Sequence, residues 1–452
     1  MGKYFGTDGF RGEAGITLTA EKAYKTGRYL GCHLKSNTKN KSKPRVVIGK
    51  DTRLSGYMLE YAIASGLAAS GADVYLLHVT TTPCVSYVTL TDGFDCGVMI
   101  TASHNPYYDN GIKIIDKRGD KLNDEIAYMI EEYIDAERDE LPLASGSEIG
   151  KIHDYYSGRN RYIAYLISLA SNSYKGMRIG IDAANGSAFA IARSVFSALG
   201  AEIYTIGDMP NGTNINEECG STHPERLCAL VKKEGLDIGF AFDGDADRCI
   251  AVDNLGNIID GDKIMYLLAA RLKRLCMLGS GTVVATVMSN GGFIKSIESL
   301  GAKVERTQVG DRFVYERMQE IGANLGGEQS GHIIIRKYAT TGDGILTAIM
   351  LSEEIADTGS TLADLTKDVL TFPQLSVSVR VKDKRVAIED SELIALAERK
   401  RSELGDGSRL IIRESGTEPK IRIMVESESE SLCQKCTDEI LTLLRNRGHT
   451  DE

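Results

Sequence analysis

A short pattern recurs three times along the chain, and it limits what the chain can fold into more than any other feature does. Ser65 to Tyr75 (SGLAASGADVY), Ser194 to Tyr204 (SVFSALGAEIY) and Lys295 to Glu305 (KSIESLGAKVE) each leave a helical pattern through Gly-Ala and enter a strand at Val or Ile. The glycines, Gly71, Gly200 and Gly301, fall just past the helix, where a residue without Cβ is free to take positive φ. Each copy also follows an apolar stretch and a polar loop: VVIGKD from Val46, RIGIDAANG from Arg178 and VVATVMSNGG from Val283. Strand, loop, helix, Gly-Ala, strand is the grammar of βαβ units. Three spaced copies predict three similar α/β domains, each a mixed sheet sandwiched by helices.

The last stretch lacks the repeat. A strand-like LSVSVRV from Leu375, a charged helix from Ile388 to Leu404, a strand pair around Arg409 to Glu426 and a closing helix from Ser431 to Leu444 predict a smaller α+β domain. The expected division is residues 1–152, 153–254, 255–370 and 371–452. A length of 452 residues accommodates several such domains.

Composition excludes several classes. With 53 Lys+Arg against 63 Asp+Glu the formal charge is −10, which repels a phosphate backbone and disfavours nucleic acid as a partner. The single basic run, Lys39, Lys41, Lys43 and Arg45, lies in a Ser/Asn-rich stretch that reads as a solvated loop. No segment approaches the roughly 18 consecutive apolar residues of a membrane helix, and Met1 to Phe10 has no apolar core of a secretory signal. The nine cysteines, odd in number and mostly inside apolar runs, have the pattern of reduced thiols in a cytoplasm. Cys433 and Cys436 form a C-x-x-C, but in a helical pattern with no second pair and no His at zinc spacing.

Five strings carry chemistry. Asp243-Gly-Asp245-Ala-Asp247-Arg248 follows an apolar strand, and alternate residues of an extended chain project to one side, so three carboxylates converge. Such acids repel unless a cation sits among them, and all-oxygen ligation favours Mg²⁺ over Zn²⁺. An EF-hand loop fails here, because Arg248 stands where Gly is needed and Asn254 where the bidentate Glu belongs. The bland alternative is a solvated acidic turn, against which Arg248 argues, since a guanidinium there can hold an anion bidentately.

Thr101-Ala-Ser103-His104-Asn105-Pro106 follows the strand Cys96 to Ile100, placing Ser103 at a strand's carboxyl end, where ligands bind in α/β sheets. Taken alone, Ser103 reads better as a turn or capping serine, and His104 as a turn residue. Gly326-Gly-Glu328-Gln329-Ser330-Gly-His332 offers an acid, an amide and a hydroxyl able to grip vicinal sugar hydroxyls. Arg413-Glu-Ser415-Gly416-Thr417-Glu-Pro, with Arg422 beyond it, has the parts of a phosphate cradle. Gly6 to Gly12 adds Arg11 on a Gly-rich loop. Each of these strings separately could be a turn.

Together and in this order, FGTDGFRG, TASHNP, DGDADR, GEQSGH and RESGTEP resemble the α-D-phosphohexomutase superfamily over essentially the whole chain. The resemblance implies three similar α/β domains plus a smaller fourth, with the active-site cleft between them. The MGKYFGTDG opening, Gln329 and the SGTEP form of the last loop resemble the bacterial branch that interconverts glucosamine 6-phosphate and glucosamine 1-phosphate on the route to UDP-N-acetylglucosamine.

What the resemblance implies about the site is specific. Ser103 carries a phosphoryl group and joins Asp243, Asp245 and Asp247 around one Mg²⁺. Lys113, Arg11 and His104 lie at the transferring group, with His332 handling protons. Arg248, Glu328 and Ser330 contact the sugar phosphate, and Arg413, Ser415, Gly416, Thr417 and Arg422 hold the phosphate that is not reacting. A sugar 1,6-bisphosphate is then the intermediate and activator, a hexosamine phosphate the substrate, and no membrane or nucleic acid is involved. A monomer and a dimer are both compatible with the chain.

Overall fold

The computed structural model describes residues 3–6, 9–37, 42–122, 124–405, 407–414 and 420–450. Thr7 and Asp8 of the opening motif, Lys39 and Lys41 of the basic run, and Ser415, Gly416 and Thr417 of the phosphate loop lie outside the described residues. The chain divides into two compact units, Met1–Val287 with Glu305–Lys367 as unit 1, and Met288–Val304 with Asp368–Glu452 as unit 2.

Among the described residues the architecture is α/β, with four sheets. The first has the spatial order Phe5–Gly6, Gly9–Glu13, Asp109–Asp116, Cys96–Ile100, Arg45–Lys50, Asp73–Val79, Ile152–Asp154. Its centre is parallel: Arg45–Lys50 runs alongside both Asp73–Val79 and Cys96–Ile100, while Asp109–Asp116 returns antiparallel. Val46, Ile48, Val98 and Ile100 are fully covered by helices that contribute Leu30, Leu59, Ile63 and Leu67 to one core. Unbroken apolar strands are what a sheet buried on both faces requires. Two loops therefore leave the carboxyl ends of neighbouring strands together, one after Lys50 and one after Ile100.

The second sheet has the order Ile258–Ile259, Cys249–Asp253, Ile238–Phe242, Arg178–Asp182, Glu202–Ile206. Ile238–Phe242 and Cys249–Asp253 pair antiparallel, so residues 243–248 close a hairpin. In the third sheet Leu325–Gly327 and Ile333–Ile335 likewise form a hairpin around residues 328–332. Gly71, Gly200 and Gly301, the marks of the repeat, adopt φ of 90°, 95° and 69°.

In unit 2, Gln374–Arg380, Lys420–Glu426 and Arg409–Glu414 form an antiparallel sheet packed on helices. The charged helix expected over Ile388 to Leu404 is two helices, Lys384–Ile388 and Ser391–Leu404. Asp390 breaks them because its side chain accepts from the Glu392 N–H at 2.8 Å and caps the second. Cys433 and Cys436 sit in the hydrophobic core of this unit. Among the described residues no helix is long and apolar enough to cross a membrane.

Candidate functional site

The two hairpins and the two strand-end loops of unit 1 meet. Ser103 is buried at the end of Cys96–Ile100 and takes a left-handed conformation, φ 52°. Its Oγ donates to Asp243 Oδ2 at 2.6 Å and lies 3.3 Å from His104 Nδ1. Gly244 is required at this approach, because a Cβ there would stand 2.5 Å from the Ser103 carbonyl oxygen.

Asp243, Asp245 and Asp247 are all buried, and one carboxylate oxygen from each lies within 4.8 Å of the others. Thr82 Oγ1 donates to Asp245 Oδ2 at 2.5 Å. Lys113, from Asp109–Asp116, bridges Asp245 Oδ2 at 2.8 Å and Asp247 Oδ2 at 3.1 Å. Asp245 Oδ1 and Asp247 Oδ1 remain buried with no hydrogen-bond partner. Buried carboxylate oxygens are normally satisfied, so these two, facing a third acid, fit a divalent cation of the oxygen-loving kind.

The field around the triad is steep. Burial, reinforced by Asp247 and Asp245, pushes the Asp243 carboxyl well above its usual range. Burial acts in the same direction on Asp247, but Lys113, His332 and Arg248 overcome it and hold that carboxyl well below the usual range. His332 is buried too, which disfavours its charged form, yet Asp247, Asp311 and Glu328 prevail and raise it to about 9. His104 goes the other way: burial, then Arg248 and Arg11, lower it to about 4.

The hairpin of the third sheet is joined to the acidic loop by an Arg248 and His332 bridge and by a Cys249 N–H to Gly331 C=O bond of 3.0 Å. A cavity of about 510 Å³ opens beside them, walled by Arg11, His104, Asp247, Arg248, Asp311, Glu328 and His332 among others. Glu328 Oε1 accepts from the Gly310 N–H at 3.1 Å. Ser330 is exposed at the hairpin tip, and Gln329 donates to Asp260 at 3.1 Å, an aspartate that caps the helix Gly261–Arg274.

Unit 2 has a feature of its own. Arg413 and Arg422 are direct cross-strand partners, both exposed, with Ser378 opposite Arg422 on the other side. Like charges placed opposite each other repel unless an anion comes between them.

Sequence reasoning missed Asp51, Arg53, Thr82, Asn216 and Asp311. Arg53, fully buried, donates to the carbonyls of Ser103, Asn105, Pro106 and Asp109. Its position after Lys50, at a strand's carboxyl end like Ser103, was the available signal. Asn216 lies in an irregular loop with no local pattern to mark it.

Descriptions of the phosphoglucomutase/phosphomannomutase family match the chain in four consecutive parts: α/β/α domain I over residues 2–141, domain II over 160–256, domain III over 260–372 and the C-terminal domain over 377–443. The phosphoglucosamine mutase of Lachnoclostridium phytofermentans is 53% identical over 449 residues, covering 99% of each chain. That of Bacillus subtilis is 47% identical over 446 residues, again covering 99% of each. Among solved structures, a phosphoglucomutase/phosphomannomutase family protein of Burkholderia thailandensis has a TM-score of 0.78 at 25% identity, covering 99% of this chain and 98% of that one. The N-acetylphosphoglucosamine mutase of Aspergillus fumigatus, solved with GlcNAc-6P and magnesium, shares the fold with a TM-score of 0.63 at 19% identity, covering 99% of this chain and 96% of that one. Four domains matched in order, with relatives near half identity from end to end, mean that this chain belongs to the phosphoglucomutase/phosphomannomutase family of α-D-phosphohexomutases.

Proposed function

We propose that the protein interconverts glucosamine 6-phosphate and glucosamine 1-phosphate through a phosphorylated Ser103 and a sugar 1,6-bisphosphate. The observation that carries this reading is the 2.6 Å hydrogen bond from a buried, left-handed Ser103 to a triad of buried carboxylates. The choice of amino sugar is supported by the full-length likeness to phosphoglucosamine mutases.

In the forward half, a sugar hydroxyl oxygen attacks the phosphorus carried by Ser103, the new O–P bond forms, the Ser103 Oγ–P bond breaks, and the hydroxyl proton passes to a base. The bisphosphate turns over, and its other phosphoryl group returns to Ser103 Oγ. Phosphoryl transfer asks for positioning and charge neutralisation more than covalent help. Asp243, Asp245, Asp247 and the Ser103 phosphate oxygen would hold Mg²⁺, which supplies neutralisation of the charge on the transferring group. Lys113 and Arg11 face the same charge, and His104 Nδ1, 3.3 Å from Oγ, is placed to exchange the serine proton. His332, kept charged at neutral pH against its burial by Asp247, Asp311 and Glu328, gives a proton to the sugar oxygen when the phosphoryl group leaves it. Arg248, Glu328 and Ser330 orient the sugar phosphate, and Arg413 and Arg422, with Ser415, Gly416 and Thr417, hold the phosphate not reacting. The nine unpaired thiols suit a cytoplasmic enzyme.

Turnover of glucosamine, glucose and mannose phosphates measured side by side tests the reading. Glucosamine phosphate should have the highest kcat/KM. A preference for mannose or glucose phosphate would make the protein a phosphomannomutase or phosphoglucomutase of the same family, and binding without turnover would make it a sugar-phosphate sensor.

A further inference from the structure

Ser103 is a poor residue for the backbone it occupies. A non-glycine residue at φ 52° holds that conformation only where its surroundings over-determine it. The surroundings form a closed ring. The Ser103 N–H donates to Thr101 Oγ1 at 2.9 Å, and Thr101 Oγ1 donates to Asp51 Oδ2 at 2.7 Å. The same Asp51 oxygen accepts from Arg53 Nε at 2.8 Å, and Arg53 Nη2 returns to the Ser103 carbonyl at 2.9 Å.

A second donor reaches those carbonyls from the second sheet. Asn216 Nδ2 donates to Ser103 C=O at 2.9 Å and to Asn105 C=O at 3.0 Å, the two carbonyls that Arg53 Nη2 also holds. Asn216 is itself tied down by its N–H to the Ala184 carbonyl at 2.9 Å. Two further bonds join the same loops, Thr52 Oγ1 to Asn185 C=O at 2.6 Å and Leu54 N–H to Gly212 C=O at 2.8 Å. Neither Arg53 nor Asn216 is within reach of the Ser103 hydroxyl by any bond described, so they act on its backbone.

We propose that Arg53 and Asn216 are positioning residues that clamp the Ser103 and Asn105 carbonyls from two sheets and thereby keep the Ser103 hydroxyl aimed at the carboxylate triad. This rests on Ser103 being the phosphoryl carrier. The serine is both acceptor and donor in one cycle, so the same oxygen must return to the same place twice. A displacement of about 1 Å costs on the order of a hundredfold in rate.

The test uses the full-length enzyme with Mg²⁺. Asn216 takes φ 59°, which Gly adopts at ease, so Asn216→Gly removes the side chain and its donor without straining the backbone; Asn216→Asp keeps the shape and replaces the donor with an acceptor facing two carbonyls. Both should lower kcat by roughly tenfold to a hundredfold, with KM within about threefold. In single turnover, transfer of phosphate from glucose 1,6-bisphosphate to Ser103 should slow in parallel. Arg53→Lys keeps the charge beside Asp51 but loses the fork, and should do the same. If Arg53→Lys fails to fold, the two variants of half-buried Asn216 still decide. Wild-type kcat and transfer rate in both Asn216 variants, or a loss confined to KM or thermal stability, overturns the clamp. Normal turnover by Ser103→Ala would instead overturn the reading on which the clamp rests.

Discussion

Unit 1 buries three carboxylates within 4.8 Å of one another, while unit 2 sets two guanidiniums side by side at its surface. Both arrangements crowd like charges, but the costs differ. At the exposed pair water and salt screen the repulsion, and a bound anion would relieve it. In the triad there is little water to screen anything, so the chain supplies Lys113, Arg248 and His332 as countercharges and still leaves two oxygens without a hydrogen bond. The difference separates two tasks. A dry, preformed site stabilises charge as it moves, whereas an exposed fork recognises charge that stays where it is.

Ser103→Ala should lower turnover by at least about four orders of magnitude, with thermal unfolding little changed, and mass spectrometry should place one phosphate on the wild-type serine and none on the variant. Next comes the metal. Chelation should silence the wild type, and Mg²⁺ should restore it. Asp245→Asn should cost about two to three orders of magnitude in kcat and raise the Mg²⁺ concentration needed for half-maximal rate. An EDTA-treated enzyme that turns over unchanged would make the triad structural.

The exposed pair should respond differently. If Arg413 holds a phosphate bidentately as proposed, Arg413→Ala should lower kcat/KM roughly a hundredfold for both the 1-phosphate and the 6-phosphate. Mg²⁺ dependence should stay as in the wild type, since on the proposed reading the other unit's carboxylates would hold the metal. Because the pair is open to solvent, wild-type KM should rise with ionic strength, and Arg413→Ala should flatten that rise. Unchanged kcat/KM for both phosphates would leave the loop a mere turn.

How far the site was legible follows from how each residue acts. Asp243, Asp245 and Asp247 were legible because they lie together in one local string, whereas Ser103, a turn residue when taken alone, was singled out only by the place of its string in the order of five. The repeat exposed the α/β architecture because its glycines recur at one backbone need. Arg53 and Asn216 stayed hidden because an arginine in a polar loop has many uses, and their meaning arises only when segments 50 and 113 residues away from Ser103 in sequence meet over it. The helix expected from Ile388 was misjudged because Asp390 passes for one more charged helical residue. Only its carboxylate on the Glu392 N–H shows the break.

The smallest effect sharpens the contrast between the units most finely, through two aspartates with the same job. Asp343 caps the helix Gly344–Thr358 in unit 1, and Asp390 caps Ser391–Leu404 in unit 2. Burial pushes the Asp343 carboxyl up from 3.8 to about 6, against the opposing hydrogen bonds of Leu346 and Tyr162. The hydrogen bonds of His449 and Arg447 instead hold Asp390 below the usual carboxylate range. The signs are therefore opposite. Between pH 3.8 and 6 the folded state holds the Asp343 proton more tightly than the unfolded chain does, so stability falls as pH rises through that window, by up to about 3 kcal/mol. Asp390 contributes stability that is complete above pH 3.8 and is lost as pH falls below it. Thermal unfolding of Asp343→Asn and Asp390→Asn against the wild type, from pH 3 to 8, reads both. Asp343→Asn should gain on the wild type as pH rises from 4 to 7, and Asp390→Asn should lose on it as pH rises out of the acid range. Parallel slopes would show that the two caps share one electrostatic environment despite their different surroundings.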